Sequence, residues 1–396
     1  MKVLMLTTKF PVDNESPWLT SELAAELIKR NVSVDVMDIQ WAGQEGVKNY
    51  RRPGLNVIRK KPFDFKFLGK AGFFIKWFFS SFKLYPYLIW KLLSVRRYDL
   101  LICYSPCVIL AGAIPLARLL SKKSILIYWD FFPTHIQHAT GRFPKFSIPL
   151  LRRLEGCLVS SFSRASFMSP ANLRFANYYF GVSLQTRDVI PIWSAFLGWD
   201  NLCKETERLG SPYGDEVLVV FGGQLVAGRG VEVVLSAVRI ARISNPKIKL
   251  LVCGAGPLAI QVKEFSSGNP EACDYLGLLP RQEYLKILAY SDIGVVATMA
   301  GVESPTYPSK SLDYMASCMP IAACVENSTD FGEIIESNGF GCSCKEGDIE
   351  KLAEILIQLS LDPLLRKNMG MRALNFLRKE HAVSDATDKI LRTIDI

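Results

Sequence analysis

The chain has 396 residues, 49% hydrophobic and 21% charged, and its 47 Lys and Arg against 38 Asp and Glu leave a net charge of +9. That length exceeds one compact core and predicts two domains of ordinary size, while the composition excludes a disordered, collagenous or disulfide-scaffolded chain. The basic balance suits an anionic partner (nucleic acid, an anionic membrane surface or a phosphorylated substrate) and does not choose among them.

In chain order, "MKVLMLTTKFP" reads as a first strand over 2–8 and not as a cleavable leader. A helix over 19–31 and a strand over 33–39 follow. Residues 59–97 interleave Phe, Trp and Tyr with regularly spaced Lys and Arg, which is too charged for a membrane span. Such a segment lies in a membrane interface or packs as a domain helix with solvated lysines, and the first reading is preferred. Strands are then predicted over 98–105, 124–130, 165–169 and 188–193, with a helix over 107–123. Residues 194–214 lack periodicity and read as a link. The alternation restarts with strands over 216–223, 247–254, 274–279, 293–299 and 320–325, and ends in helices. Apolar runs separated by helices indicate parallel sheets covered on both faces, here two tandem doubly wound α/β domains facing a cleft.

The ten cysteines lack the paired C-x2-C spacing of zinc sites and fall mostly in apolar runs, so buried reduced thiols and a cytosolic compartment are expected. Three strand-end turns carry the candidate chemistry. The first, "FGGQLVAGRG", sets Gly222 and Gly223 before Gln224, and Arg229 within Gly-Arg-Gly. Adjacent glycines let amides approach an anion, and Arg229 adds charge. The second, "CGAGP", holds Gly254 and Gly256 but no third glycine, so its dinucleotide signal is weak. The third, "ESPTYPSKS", puts Ser309 and Lys310 at a helix start, where a cation is unfavourable unless an anion binds beside it. The turns follow strands of one parallel sheet, and that convergence outweighs each of them alone.

Together "FGGQLVAGRG", "CGAGP", "YLGLLPRQEYLKILAYSDIGVV" and "PSKSLDYMASCMPIAA" resemble the C-terminal domain of the retaining GT-B glycosyltransferases of family 4. In the first half, "YWDFFP" is similar to a strand-end stretch of the bacterial fucosamine-transferase-like branch. The resemblance implies an acceptor domain over 1–195, a nucleotide-sugar domain over 215–375 and a tail over 376–396 crossing back to the first. It also implies transfer of a sugar, with retention, from a nucleoside-diphosphate donor, expected to be uridine-based. A basic, aromatic first domain suits a lipid-linked or saccharide acceptor at the cytoplasmic face of the membrane, as in bacterial surface polysaccharide assembly.

On this reading Gly222, Gly223, Gln224, Arg229, Gly254, Gly256, Ser309 and Lys310 bind the donor, and Asp313 takes its ribose hydroxyls. The family's paired glutamates are spaced E-x7-E; here Asp313 fills the second place and Pro305 the first, with Glu303 two residues away as substitute. Asp130 and Glu303 are the catalytic candidates, and His135 and His138 candidate acceptor contacts. No D-x-D triplet occurs, so no metal or other cofactor is expected, and nucleic acid is not an expected partner. The alternatives are a sugar-nucleotide epimerase of the same fold, a dinucleotide-dependent oxidoreductase, and a non-catalytic membrane-binding protein on a degenerate transferase scaffold.

Overall fold

The computed structural model describes residues 1–12, 18–40, 49–63, 76, 79–94, 97–134, 137, 143, 145–180, 187–195, 211–298, 301 and 303–395. The chain packs as two compact units, Met1–Ile192 with Val383–Ile396, and Trp193–Ala382. Each is built on one sheet.

In the first unit the strands are β1 (Lys2–Thr7), β2 (Ser33–Ile39), β3 (Tyr50–Arg52), β4 (Leu55–Lys60), β5 (Tyr98–Tyr104), β6 (Ser121–Tyr128), β7 (Arg164–Phe167) and β8 (Arg187–Val189). Their order is β3-β4-β2-β1-β5-β6-β7-β8, and only the β3–β4 pair is antiparallel. Val3, Leu4, Met5 and Leu6 are all fully buried, as expected of a central parallel strand covered on both faces. In the second unit β9 (Val217–Gly222), β10 (Ile248–Cys253), β11 (Cys273–Gly277), β12 (Ile293–Ala297), β13 (Ile321–Val325) and β14 (Gly341–Lys345) order as β11-β10-β9-β12-β13-β14. That is the doubly wound arrangement, whose order reverses between β9 and β12.

Several expectations need correction. The helix predicted over 107–123 is two short helices, Cys107–Leu110 and Ile114–Leu119, and β6 begins at Ser121. Pro115 lies in the first turn of the second helix and has no N–H to continue the first. The β3–β4 hairpin and β14 were not anticipated. "RRPGLN" turns on Pro53-Gly54, with Gly54 at φ +78°, while "GCSCK" carries too few branched residues to stand out as a strand. The basic aromatic segment 59–97 does not begin as a surface feature. Arg59 lies in β4, is 8% exposed, and pairs with fully buried Asp38 at 3.3 Å. Burial pushes the Asp38 carboxyl up to about 7, with the Arg59 charge opposing.

Further along, a 3-10 turn (Ser80–Leu84) and the helix Tyr85–Leu93 bury Leu84 and Leu88 while leaving Phe82, Ile89, Trp90, Leu92 and Leu93 exposed. Among the described residues no helix is long and apolar enough to cross a membrane.

The closing helix Val383–Leu391 belongs to the first unit and is held there by named groups. The Arg164 guanidinium, 7% exposed as a residue, donates to the Lys389 carbonyl at 2.6 Å and the Thr393 hydroxyl at 3.0 Å, and it pairs with Asp188. Arg30 donates to the Ser384 carbonyl at 3.0 Å and to Asp388. Replacing Arg164 strands a partly buried carbonyl, a buried hydroxyl and a partly buried carboxylate. Arg164→Met is therefore expected to cost about 2–3 kcal/mol in chemical denaturation and to expose the segment after Ala382 to proteolysis. A denaturation midpoint equal to wild type would show that the closing helix is held by apolar packing alone.

Candidate functional site

The site is built on the carboxyl ends of β9, β10 and β12, at the point where the strand order reverses. β9 ends in the glycine pair. A Cβ at Gly222 would sit 2.2 Å from the Tyr284 hydroxyl, and one at Gly254 would sit 1.8 Å from the Gly223 carbonyl oxygen. One at Gly256 would fall 2.3 Å from the Leu225 carbonyl oxygen. These glycines let two turns lie backbone against backbone.

Their amides are largely spent inside the frame. Gly222 N–H donates to the Tyr314 hydroxyl at 2.9 Å, Gly223 N–H to the Cys253 carbonyl at 2.9 Å, and Gly254 N–H to the Gly277 carbonyl at 2.7 Å. The expectation that the glycine amides would cradle an anion is thus corrected for these three. An anion here is therefore met by other groups, side chains among them.

Two cations are placed to do so. Lys310 opens the helix Lys310–Ala316 and folds back over β9, its ammonium 3.5 Å from the centroid of the Phe221 ring. Its Cε and Nζ lie 3.7 and 3.9 Å from where a Cβ of Gly223 would be, so the missing side chain leaves the ammonium uncovered there. Among the described residues its ammonium has no acidic partner and no hydrogen bond. Burial, reinforced by the positive charge of Arg229, pushes its pKa down to about 7. Arg229 comes from the loop ahead of the helix Val231–Ser244 and also has no carboxylate partner among the described residues. Gly230 fixes that loop: its φ is +65°, and a Cβ would meet the Ala297 Cβ at 2.8 Å. Gln224 and Ser309 are exposed on the same turns, and Ser309 makes no side-chain cap.

Asp313 lies one turn beyond Lys310, and Arg281 holds both its oxygens, at 2.8 and 2.6 Å. A paired carboxylate of this kind keeps lone pairs for a hydroxyl donor while its orientation is fixed. Arg281 was not anticipated, although "LPRQEY" places a cation at a helix start just as "PSKS" does. Glu326 was also missed. It is 2% exposed and accepts from the Thr298 hydroxyl at 2.9 Å, the Thr306 N–H at 2.8 Å and the Thr306 hydroxyl at 2.7 Å. It ties the segment ahead of Lys310 to the end of β13. An acid directly after the apolar strand "IAACV" was its signal.

Glu303 is exposed, and among the described residues it has no partner. Asp130 is in the first unit, two residues beyond β6 and exposed, with its N–H on the Ser105 hydroxyl at 3.2 Å. His135 and His138 lie outside the described residues. Among the described residues no cluster of His, Cys, Asp and Glu could hold a metal ion.

Residues 204–376 match the family model of glycosyl transferases group 1. Over 141 residues the chain is 28% identical to the amylovoran biosynthesis glycosyltransferase AmsK of Erwinia amylovora, covering 35% of this chain and 34% of that protein. The match therefore spans about a third of that relative's length. Over nearly the whole chain the fold is similar to sucrose-phosphate synthase from Thermosynechococcus elongatus, with a TM-score of 0.73, 14% identity and coverage of 99% and 97%. It is also similar to Anabaena HepE solved in complex with UDP, with a TM-score of 0.67, 15% identity and full coverage of both chains. The domain over residues 204–376 thus matches the group 1 glycosyl transferases, and the chain as a whole has the GT-B fold of these solved structures.

Proposed function

We propose that the protein is a retaining glycosyltransferase that moves a sugar from a UDP-sugar to a lipid-linked or saccharide acceptor in bacterial surface polysaccharide biosynthesis. It would act at the inner face of the cell membrane, without a metal. One observation carries the donor reading: Lys310 lies beside the Gly223 turn within reach of the Arg229 charge, and neither has a carboxylate partner among the described residues. Two like charges held this close call for an anion carrying more than one negative charge, and a diphosphate is such a group. HepE, of the same fold, was solved with UDP.

The chemical task is to stabilise charge growing on the departing diphosphate as the glycosidic bond to phosphate breaks. Lys310, protonated once the anion is seated, donates N–H bonds to the phosphate oxygens, and Arg229 supplies a second charge. Because the ammonium rests on Phe221 and is shielded from water, its interaction with charge that forms late is stronger than at a wet surface. Asp313, oriented by Arg281, accepts from the ribose hydroxyls. Asp130 and Glu303 are assigned polar contacts to the transferring sugar or acceptor. Retention rests on the family resemblance, and NMR of the first-formed product anomer tests it.

Lys310→Ala is expected to weaken UDP binding roughly tenfold to a hundredfold, the loss of one charge-assisted hydrogen bond. Unchanged affinity by calorimetry would remove Lys310 from the donor site. The pH dependence has a definite sign. The folded-state pKa of Lys310 is about 7, below the 10.5 of an ordinary lysine, so the unfolded chain binds more protons between those values. The cost of the buried ammonium is complete below about pH 7 and is relieved as pH rises toward 10.5. Apo Lys310→Met should thus be more stable than wild type at pH 7, with the gap closing by pH 9.5. A gap independent of pH would mean that the ammonium is hydrated.

Turnover should persist in excess chelator. Its loss with chelator and return with Mg²⁺ or Mn²⁺ would refute metal independence.

A further inference from the structure

The first unit contains a pocket that the donor reading does not use. It lies where β1, β2 and β5 begin, at Lys2, Ser33 and Tyr98, whereas Asp130 follows the carboxyl end of β6 in the same sheet. Its volume is about 700 Å³, and its charged lining is Lys2, Arg51, Arg52 and Lys91 against the single carboxylate of Asp35.

That carboxylate is already satisfied. Lys91 donates to it at 2.8 Å, Tyr87 at 3.3 Å and Asn56 at 3.2 Å, and Tyr98 adds a further short bond. Burial acts against ionisation, but these bonds hold Asp35 below the usual carboxylate range. Asp35 therefore neutralises Lys91. The neighbouring acid Asp99 is taken by Lys122 at 2.8 Å and by the Lys2 N–H at 2.9 Å. The Lys2 ammonium and the Arg51 and Arg52 guanidiniums are left without a carboxylate partner among the described residues, so the lining carries a net charge of three positive. Arg51 and Arg52 are adjacent on β3, which pairs only with β4.

One wall of the pocket is Trp90, 57% exposed, on the helix Tyr85–Leu93. The same helix exposes Ile89 at 44%, Leu92 at 40% and Leu93 at 76%. A cationic recess therefore opens beside an apolar, Trp-bearing helix face. We propose that this pocket receives the phosphate headgroup of an anionic membrane lipid, with the exposed helix residues entering the hydrocarbon boundary beside it. Guanidinium pairs suit phosphate oxygens, and Trp suits the membrane–water boundary. The proposal deepens the membrane-surface part of the functional reading and is independent of the donor site.

Vesicle co-sedimentation with phosphatidylcholine, with and without phosphatidic acid, tests it. Wild type should prefer the anionic vesicles, and Arg51→Gln with Arg52→Gln should reduce that binding about thirtyfold, at about fivefold per charge. The substituted residues are exposed on a sheet edge, so folding should be retained. Trp90→Ala should weaken binding, whereas Lys145→Gln with Arg153→Gln, both exposed in the same unit, should leave it unchanged. An equal loss in that control pair would show that net charge drives binding and would overturn the pocket. Calorimetric binding of soluble glycerol 3-phosphate, without preference for phosphatidic acid vesicles, would assign the pocket to a free phosphate compound and overturn the lipid. UDP affinity, measured on the same variants, should not change. A wild type that fails to bind UDP yet shows the vesicle pattern would sink the donor reading and leave this one standing.

Discussion

The close approach of two turn backbones at the ends of β9 and β10 sets the geometry of the second unit's ligand edge. Gly254 meets the Gly223 carbonyl at a distance that no side chain tolerates, and Gly256 meets the Leu225 carbonyl in the same way. With these turns locked together, Phe221 becomes a fixed hydrophobic floor and Gly223 an opening above it. Lys310, arriving from the segment after β12, sets its ammonium on that floor beside the opening. The glycines thus act as spacers. What they create is a place where an ammonium can be held over an aromatic face with no counter-ion, and that arrangement gains stability when an anion arrives.

Much of the fold was legible, because parallel strands buried on both faces write themselves as continuous apolar runs. β1, β2, β5, β9, β10, β12 and β13 lie within one or two residues of where those runs predict. What escaped were elements whose residues are chosen for other reasons. β3 is a tyrosine and two arginines, the arginines lining a pocket, and β14 is mostly small residues at the sheet edge beside β13. The helix after β5 breaks at a proline that periodicity passes over. At the site the glycine turns and Lys310 stood out, since an unfavourable residue type marks itself. Arg281 and Tyr314 did not, because their partners are remote in sequence. The Arg281–Asp313 pair spans 32 residues and the Tyr314–Gly222 bond spans 92. Local pattern reports which residue is odd; it does not report which distant group completes it.

The charge balance acquires structure when each carboxylate is traced to its partner. Asp35 is held by Lys91, Asp38 by Arg59, Asp313 by Arg281, and Glu326 by threonines of the segment after β12. Each of these acids serves as an internal strut. The cations are apportioned differently. Lys310 and Arg229 converge on the strand ends of one sheet, and Lys2, Arg51 and Arg52 gather at the strand beginnings of the other. A net charge of +9 spread evenly would indicate only solubility and nonspecific attraction. Here part of the excess gathers at two places, each with an aromatic surface beside it: Phe221 under Lys310, Trp90 beside the arginines. The π face of an aromatic ring stabilises a cation and repels an anion, so the charge that draws phosphate comes from the cations. Phosphate affinity at these two places should therefore track the number and protonation of the cations.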